Sequence, residues 1–275
     1  MERINDTDII LIEGLKLAKL KSRGQTAYGW NQKSAGCEVE NVLGEIFWFK
    51  VQFRNQKDGL DKLWFGEIEA SNFQHIQKPK ILSTVQWETG TLICRGDLYN
   101  FIPFKVCSQT PHLKEKIVLN DDWLNSLSNS LHNLNSVQTD RISVRQDLIN
   151  RRIKERFGDY IDTTITNWVT IHGDLHWANV TEKECWIFDW ESWGKGPAGL
   201  DAAFLYCFSL LQPIVAEKIY ATFNEELNSP DGLISQLFTC SELLRMFELY
   251  QNYEELVEPL KFHASNLIAK SFMPL

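Results

Sequence analysis

The spacing of apolar residues separates a front part of mixed helix and strand from a back part that is mainly helical. In the front part, apolar residues at helical spacing over Asp8–Leu20 predict a first helix. Glycine-punctuated, aromatic-rich sequence over residues 25–54 then predicts a three-stranded meander. A second helix is expected over Leu63–Ile76. It is followed by two strands, Ile81–Trp87 and Thr91–Cys94, joined by a short glycine-containing hairpin.

From Trp123 onward the pattern is helical, beginning with leucines spaced to line one face of a helix. A β-like island over Trp168–Trp190 interrupts it. After the helix that begins at Trp123, four further helical stretches are expected in this part: Asp147–Phe157, Leu200–Leu227 with a break at Pro213, Leu233–Tyr250 and Leu256–Ser271. Strands first and helices after predict an α+β fold with a small β-rich lobe, residues 1–97, and a larger, mostly helical lobe, residues 98–275.

Length and composition fit two modest lobes or one large α/β domain, and they argue against some partners. The 275 residues are 44% hydrophobic, enough for a sizeable core. The net charge of −8 argues against nucleic acid, and the acidic excess lies almost entirely after Gln109, which suits a cationic ligand or a well-solvated surface. The charged start MERINDTDII and the short apolar runs predict a cytoplasmic protein without a membrane span. The six scattered cysteines are expected to be reduced thiols.

Two short apolar strands of the island, Trp168–Ile171 and Trp186–Phe188, each lead into an aspartate. Asp174 follows the first strand through His-Gly, and Asp189 follows the second directly. Asn179 lies between them, five residues after Asp174 and ten before Asp189. Strand ends hold such side chains rigidly. Because two carboxylates and an amide offer oxygen donors, they predict a Mg²⁺ site.

The island also contains His172 and His176, which raise zinc as an alternative. A zinc site built on such a pair would usually add a cysteine ligand and place the histidines on a regular element. Here no cysteine accompanies them, and glycine follows His172 in what reads as a loop. Magnesium is therefore the preferred ion.

The sequences HGDLHWAN (His172–Asn179) and FDWE (Phe188–Glu191) together resemble the catalytic and metal-binding loops of the aminoglycoside phosphotransferase/choline kinase-like family. GKGPAGLDAA (Gly194–Ala203) also resembles that family, although Pro197 lies four residues before Asp201, where many members have three. The strongest similarity covers about 40 residues, and the whole pattern is highly specific. The resemblance implies a bilobal protein-kinase-like fold and a kinase of small molecules.

Carried over position by position, the resemblance implies that Asp174 is the catalytic base and that Asn179 and Asp189 hold Mg²⁺ on the nucleotide phosphates. His176 is a candidate for contact with the γ-phosphate, with a packing role as the alternative. Asp201 is expected to accept hydrogen bonds from the backbone of the catalytic loop. The partners implied are ATP or GTP and a small hydroxyl compound, in a monomer or weak homodimer.

The front lobe should supply a cation for the nucleotide phosphates. Lys50, inside the aromatic strand EIFWFKVQF, is the candidate, because a lysine there needs a charged partner. Glu67 and Glu69 both follow at kinase-like spacing, and Glu69 is preferred because Glu69-Ala70-x-x-Phe73 is closer to the family's helix. A linker containing Cys94 and Gly96 is expected to pass the nucleotide base. No G-x-G-x-x-G motif occurs.

Within the family, acceptors include antibiotics such as aminoglycosides, amino alcohols such as choline, and sugars or amino acids such as homoserine. The acidic back half favours a cationic acceptor, and an antibiotic-resistance role is one hypothesis. Two alternatives stay open: a nucleotide-binding pseudokinase and a metal-dependent hydrolase using the same aspartate and histidine residues.

Overall fold

The structure, a computed structural model, describes residues 6–271. Residues 1–5 and 272–275, which belong to the two predicted lobes, lie outside this range. The first half of the charged segment MERINDTDII therefore also lies outside the described residues. The chain folds into two compact units. The first runs to Ser71 and resumes over Lys78–Pro103, and the second contains Asn72–Gln77 and the chain from Phe104. The boundary therefore falls beyond the predicted seam at 97/98.

The first unit is an antiparallel sheet with a helix on each side. Its strands are arranged in the order β1-β3-β4-β6-β5, and β2 also pairs with β3. Its elements are α1 (Asp6–Leu17), β1 (Lys21–Ser22), β2 (Ala27–Tyr28), β3 (Ser34–Glu40), β4 (Ile46–Asn55), α2 (Lys62–Ala70), β5 (Ile81–Thr89) and β6 (Leu92–Asn100), with 3-10 turns at Trp30–Gln32 and Gln56–Asp58.

The two faces of this sheet differ in chemistry because side chains alternate along a strand. One face packs Phe49, Val51 and Cys94 against Ile10 and Leu11 of α1, which forms the core of the unit. The opposite face carries polar side chains of β4 and β6 and is met by α2. The sheet therefore presents one apolar face and one polar face.

The expected helix over Leu63–Ile76 is shorter in the structure. α2 begins after Asp61, whose side chain accepts the N–H of Trp64, and it ends at Ala70. The hydroxyl of Ser71 donates to the carbonyl of Ile68, which closes the last turn. Phe73 instead packs against aromatic rings of the second unit, to which it belongs.

The second unit is mainly helical, with a two-stranded antiparallel ribbon. Its elements are α3 (Asp121–Asn135), α4 (Gln146–Phe157), β7 (Trp168–Ile171), β8 (Gly194–Pro197), α5 (Leu200–Cys207), α6 (Pro213–Thr222), α7 (Asn224–Asn228), α8 (Pro230–Tyr250) and α9 (Val257–Ser271), with a 3-10 turn at Glu254–Leu256. The break expected at Pro213 is present, because proline starts α6. No described helix has the length and apolarity needed to cross a membrane.

The ribbon corrects one detail of the predicted island. The expected strand Trp186–Phe188 makes only an isolated bridge between Val180 and Ile187, and β8 is the partner of β7. A Cβ on Gly196 would lie 2.3 Å from the side chain of Ile171, so glycine permits this close pairing. β7 thus gains its partner from residues that carry almost no strand pattern.

Candidate active site

The loop after β7 is fixed by a single buried carboxylate. Asp201, on α5, accepts the backbone N–H of His172 at 2.7 Å and that of Gly173 at 2.9 Å. Gly173 has φ of 80°, and a Cβ there would lie 2.8 Å from the carbonyl oxygen of Ser192. The loop can therefore turn here only with glycine. The bracing role expected of Asp201 is confirmed.

His172 braces the same loop from inside. Its ring is fully buried, and Nε2 lies 2.9 Å from the carbonyl oxygen of Phe188, so Nε2 carries the proton. Nδ1 is then free to accept the backbone N–H of Asp174 at 3.3 Å. Burial lowers the pKa of His172, which favours this neutral form. Its contacts are those of a structural residue.

Asp174 projects from the loop with half of its side chain exposed, at 50%. Desolvation by the surrounding protein, followed by the charges of Asp189, Glu191 and Asp201, raises the pKa of Asp174 to about 7. Solvent at the exposed half of the side chain partly screens those charges. A carboxylate with a raised pKa is a better proton acceptor at neutral pH.

His176 stands beside this carboxylate. Its Nε2 lies 3.8 Å from Asp174 Oδ2 and 3.3 Å from Nδ2 of Asn179, which also donates to the carbonyl of Asp174 at 2.9 Å. Because an amide NH₂ can only donate, Nε2 of His176 accepts and Nδ1 carries the proton. Nδ1 is buried without a well-formed hydrogen bond. Burial lowers the pKa of His176 to about 4, so the ring is neutral.

Asn179 connects Asp174 to the second acid. Its backbone carbonyl accepts the N–H of Phe188 at 2.8 Å, and Asp189 follows directly. Asp189 has a left-handed backbone, with φ of 63°, a conformation that aspartate tolerates better than most residues. The structure therefore brings Asp174, Asn179 and Asp189 together, as the spacing predicted.

The donor set fits a divalent cation. Carboxylate and amide oxygens are the ligands that Mg²⁺ prefers. After desolvation, the charges of Asp189, Glu191 and Asp201 also raise the pKa of Asp174, so negative charge accumulates around this loop. Asp189 and the 7% exposed Asn179 are the residues suited to hold the ion.

In the first unit, Lys50 on β4 points to the polar face of the sheet. Its Nζ lies 3.3 Å from Oε1 of Glu67 on α2, and the side chains are 18% and 8% exposed. The partner preferred from the sequence, Glu69, is exposed instead. Glu67 lies one turn from the buried Trp64 and Ala70, whereas Glu69 is turned away from that helix face. The lysine–glutamate pair is present, but its acid is Glu67.

A buried guanidinium anchors α2 over this face. Arg95 is fully buried, donates to Asp97 Oδ2 at 2.8 Å and to the carbonyl of Trp64, and lies 5.1 Å from the centre of the Trp64 ring. Thr84 donates to the other carboxylate oxygen of Asp97 at 2.7 Å. This network holds the helix that carries Glu67. Nothing in the sequence pattern predicted it.

Comparison with solved structures decides the fold. A thermostable mutant of the aminoglycoside phosphotransferase APH(4)-Ia, in a ternary complex with ADP and hygromycin B, matches with a TM-score of 0.66 and 11% identity over 98% of this chain and 100% of that chain. The chain has the fold of small-molecule phosphotransferases. The predicted α+β class, with a β-sheet front part and a helical back part, is confirmed.

Two further structures agree. An amicoumacin kinase in complex with AMP-PNP, Ca²⁺ and amicoumacin matches with a TM-score of 0.57 and 14% identity over 97% of this chain and 94% of that chain. Macrolide 2′-phosphotransferase MphH from Brachybacterium faecium matches with a TM-score of 0.56 and 15% identity over 98% and 99%. No protein-family model and no curated protein matches the sequence.

Within this phosphotransferase fold, Cys94 and Gly96 are not in a linker. Both lie inside β6, which pairs with β4 on one side and β5 on the other. Cys94 is fully buried in the apolar core, and a Cβ on Gly96 would lie 2.3 Å from the ring of Phe49. Their side chains and backbone are therefore committed to the sheet, and the linker prediction is wrong. β6 continues because Arg95, Asp97 and Tyr99 alternate onto the polar face.

Proposed function

We propose that this protein is a kinase that transfers the γ-phosphoryl group of ATP or GTP to a hydroxyl group of a polar small molecule. The observation that carries the proposal is the loop geometry around Asp174, Asn179 and Asp189, braced by Asp201. The same fold in phosphotransferases that act on antibiotics supports it.

Asp174 accepts the proton of the acceptor hydroxyl and orients its oxygen toward the γ-phosphorus. Its raised pKa suits this role, because a base poised near neutrality both exists in the charged form and binds a proton well. The proton passes to the Asp174 carboxylate, the new P–O bond forms, and the nucleoside diphosphate leaves. Because Nδ1 of His176 is buried and Nε2 accepts from Asn179, His176 is proposed to pack beside Asp174 rather than to contact the γ-phosphate.

When bound by Asn179 and Asp189, Mg²⁺ would neutralise phosphate charge during the transfer. Lys50, oriented by Glu67, provides a fixed positive charge for the nucleotide phosphates. Phosphoryl transfer depends mainly on such positioning and charge neutralisation.

The acceptor is proposed to be a cationic, hydroxyl-bearing compound, with aminoglycoside-like antibiotics first and amino alcohols or sugars as the alternative. The acidic surplus after Gln109 supports a cation. A role in antibiotic resistance, a cytoplasmic location and a monomeric or weakly dimeric state remain predictions.

The test is transfer of label from γ-labelled ATP or GTP, with Mg²⁺, to an acceptor panel of hygromycin B, a macrolide, amicoumacin, choline and homoserine. Labelled acceptor supports the kinase. Nucleotide binding without transfer to any compound in the panel would contradict it and favour a pseudokinase. Metal-dependent hydrolysis of phosphate esters without nucleotide would favour the hydrolase.

A further inference from the structure

His112 lies in the segment that runs from the end of the first unit to α3, and its backbone is tied to the catalytic loop. Ser108 N–H donates to the carbonyl of Trp177 at 3.1 Å, and Trp177 N–H donates to that of Pro111 at 3.1 Å. Leu113 N–H donates to the carbonyl of Phe208 at 2.9 Å. His112 therefore keeps a fixed position relative to the loop that bears Asp174.

The imidazole of His112 is buried without hydrogen bonds. It is 3% exposed, and neither Nδ1 nor Nε2 has a hydrogen-bond partner. Burial first, and then the charge of Lys114, lowers the pKa of His112, so the ring is neutral and offers one N–H donor and one acceptor nitrogen. Leaving buried polar atoms unsatisfied costs about 1–3 kcal/mol. His172 and His263, by contrast, each hydrogen bond through the ring.

The cover over His112 comes from the segment Gln251–Leu256, between α8 and α9. The ring of Tyr253 lies edge-on at 5.0 Å from the imidazole, and Oε2 of Glu255 is 3.9 Å from Nε2, too far for a hydrogen bond. Gln251 and Tyr253 have left-handed backbones, with φ of 57° and 67°. For residues other than glycine, the left-handed conformation costs roughly 1–2 kcal/mol of conformational free energy per residue.

The same rings lead from His112 to the catalytic base. Tyr253 lies 6.0 Å from Phe208, and Phe208 lies 6.0 Å from His176, measured between ring centres. His176 Nε2 is in turn 3.8 Å from Asp174 Oδ2. Burial, and then the charge of Asp174, raises the pKa of Tyr253. His112 and Tyr253 thus belong to the surroundings of the base.

We propose that His112 hydrogen bonds a second hydroxyl group of the acceptor, one that is not phosphorylated, and that Gln251–Leu256 is a lid that moves to admit it. The proposal rests on the kinase function above. The N–H of a neutral imidazole can donate to a hydroxyl oxygen, and its other nitrogen can accept a hydroxyl proton, so a hydroxyl can pair with whichever of the two nitrogens it meets. An ammonium group only donates, and a carboxylate only accepts. The rings of Tyr253 and Phe208 provide apolar faces for the carbon skeleton.

His112 is then a specificity-determining residue, and the acceptor has at least two hydroxyls. Hygromycin B and the macrolide satisfy this requirement, whereas choline and homoserine each have one hydroxyl. A site built to bind a hydroxyl discriminates strongly against compounds that lack it, because its own polar atoms stay unpaired. The enzyme is therefore expected to prefer the first pair of compounds by kcat/KM.

The test compares wild type with His112→Phe, which removes both nitrogens, and His112→Gln, which restores one donor and one acceptor. For hygromycin B, His112→Phe is expected to raise KM about 10- to 100-fold, as for loss of one or two buried hydrogen bonds. The KM for ATP and the value of kcat should stay nearly unchanged, and His112→Gln should recover most of the affinity. For choline, the two variants should match wild type.

Thermal unfolding separates this role from a structural one. Because the nitrogens are unsatisfied in the folded protein, His112→Phe is expected to keep or raise Tm. If the phenyl ring does not fit and the variant fails to fold, His112→Leu takes its place. An unchanged KM for hygromycin B in a folded variant would overturn the proposal, as would a wild-type preference for choline. A wild-type protein that phosphorylates nothing in the panel would overturn the kinase function as well.

Discussion

The carboxylate of Asp201 accepts the backbone N–H of His172 at 2.7 Å, and through this bond α5 sets the path of the catalytic loop. The second oxygen of the same carboxylate accepts the N–H of Gly173. Asp231 at the start of α8 makes an equivalent pair of bonds, from the N–H groups of Thr166 and Asn167, just before β7. Both aspartates are 5% exposed. Asp201 braces the loop that carries Asp174, and Asp231 braces the start of β7.

Asp201→Asn should reduce both stability and catalysis, since an amide can accept only one of the two N–H groups and turns its own NH₂ toward the other. The loss of a satisfied buried acceptor is expected to lower the free energy of unfolding by about 1–3 kcal/mol. Asp231→Asn should destabilise by a similar amount but leave kcat of the folded protein within about threefold of wild type, because its partners lie before β7. Urea unfolding and kcat at saturating substrates measure both effects. Equal kcat losses in the two variants would contradict a specific role for Asp201.

Glu67→Gln is expected to weaken nucleotide use, whereas Glu69→Gln is a matched control. Removing the charge that orients Lys50 loses a charge-assisted hydrogen bond of about 1.5–3 kcal/mol, so kcat/KM for ATP should fall about tenfold or more. Glu69 is exposed, so its substitution should change kcat/KM less than about threefold. Steady-state kinetics with varied ATP distinguish the two acids. A larger effect at Glu69 would restore the assignment favoured by the sequence.

Asp189→Asn is expected to raise the Mg²⁺ concentration needed for half-maximal activity. Asparagine also tolerates the left-handed backbone at this position, so the change removes a charge without straining the loop. Asp140→Asn, at an exposed position of the same unit, is the control. Activity titrated with Mg²⁺ in metal-depleted buffer measures the shift. An unchanged Mg²⁺ requirement in Asp189→Asn would exclude this residue as a ligand.

His263 should make the fold sensitive to acid. Burial lowers the pKa of His263 to about 4 from its usual value of 6.5, and Nε2 lies 3.1 Å from Oε1 of Gln236, whose NH₂ donates elsewhere. Between those pH values the unfolded chain binds a proton that the folded chain does not. Stability is therefore fully present above pH 6.5 and is lost as the pH falls toward 4, by at most about 1.4 kcal/mol per pH unit.

His263→Leu should reduce that slope, and His132→Gln, at an exposed position on α3, should not. Urea unfolding at about pH 7.5, 5.5 and 4.5 gives the free energies to compare. The difference in pH slope between His263→Leu and wild type gives the contribution of His263 separately from that of the other buried histidines. A slope that stays the same in His263→Leu would show that acid sensitivity arises elsewhere.

The catalytic loop was predictable because its residues are close in sequence. Asp174 follows shortly after β7, and Asn179 and Asp189 lie within fifteen residues of it, so their short spacing in the sequence brings them together. The break at Pro213 followed from proline's missing N–H, which fits the first turn of a helix and not its interior. Both features depend on residues that are close in the sequence, so the sequence alone predicted them.

What failed depended on partners distant in sequence. Glu67 rather than Glu69 faces Lys50 because Arg95 and Trp64 fix the rotation of α2, and that contact joins residues 31 positions apart. β6 extends through Gly96 because Asp97 neutralises the buried Arg95. In the sequence alone, these charged residues around a glycine are typical of a polar linker. β8 is a strand because Gly196 fits against Ile171. His112 carried no sequence signal at all, since only burial without hydrogen-bond partners distinguishes it.

The proposed role of Asp174 as the base of a phosphoryl transfer predicts that Asp174→Asn loses activity while a matched surface variant does not. Asp174→Asn keeps the size of the side chain and removes the proton acceptor, while Asp159→Asn removes the same charge at a side chain that is 75% exposed. With labelled ATP, Mg²⁺ and the best acceptor of the panel, kcat of Asp174→Asn should fall about 10²- to 10⁴-fold with little change in the KM for ATP. Asp159→Asn should match wild type. Transfer at the wild-type rate by a folded Asp174→Asn variant would contradict the account.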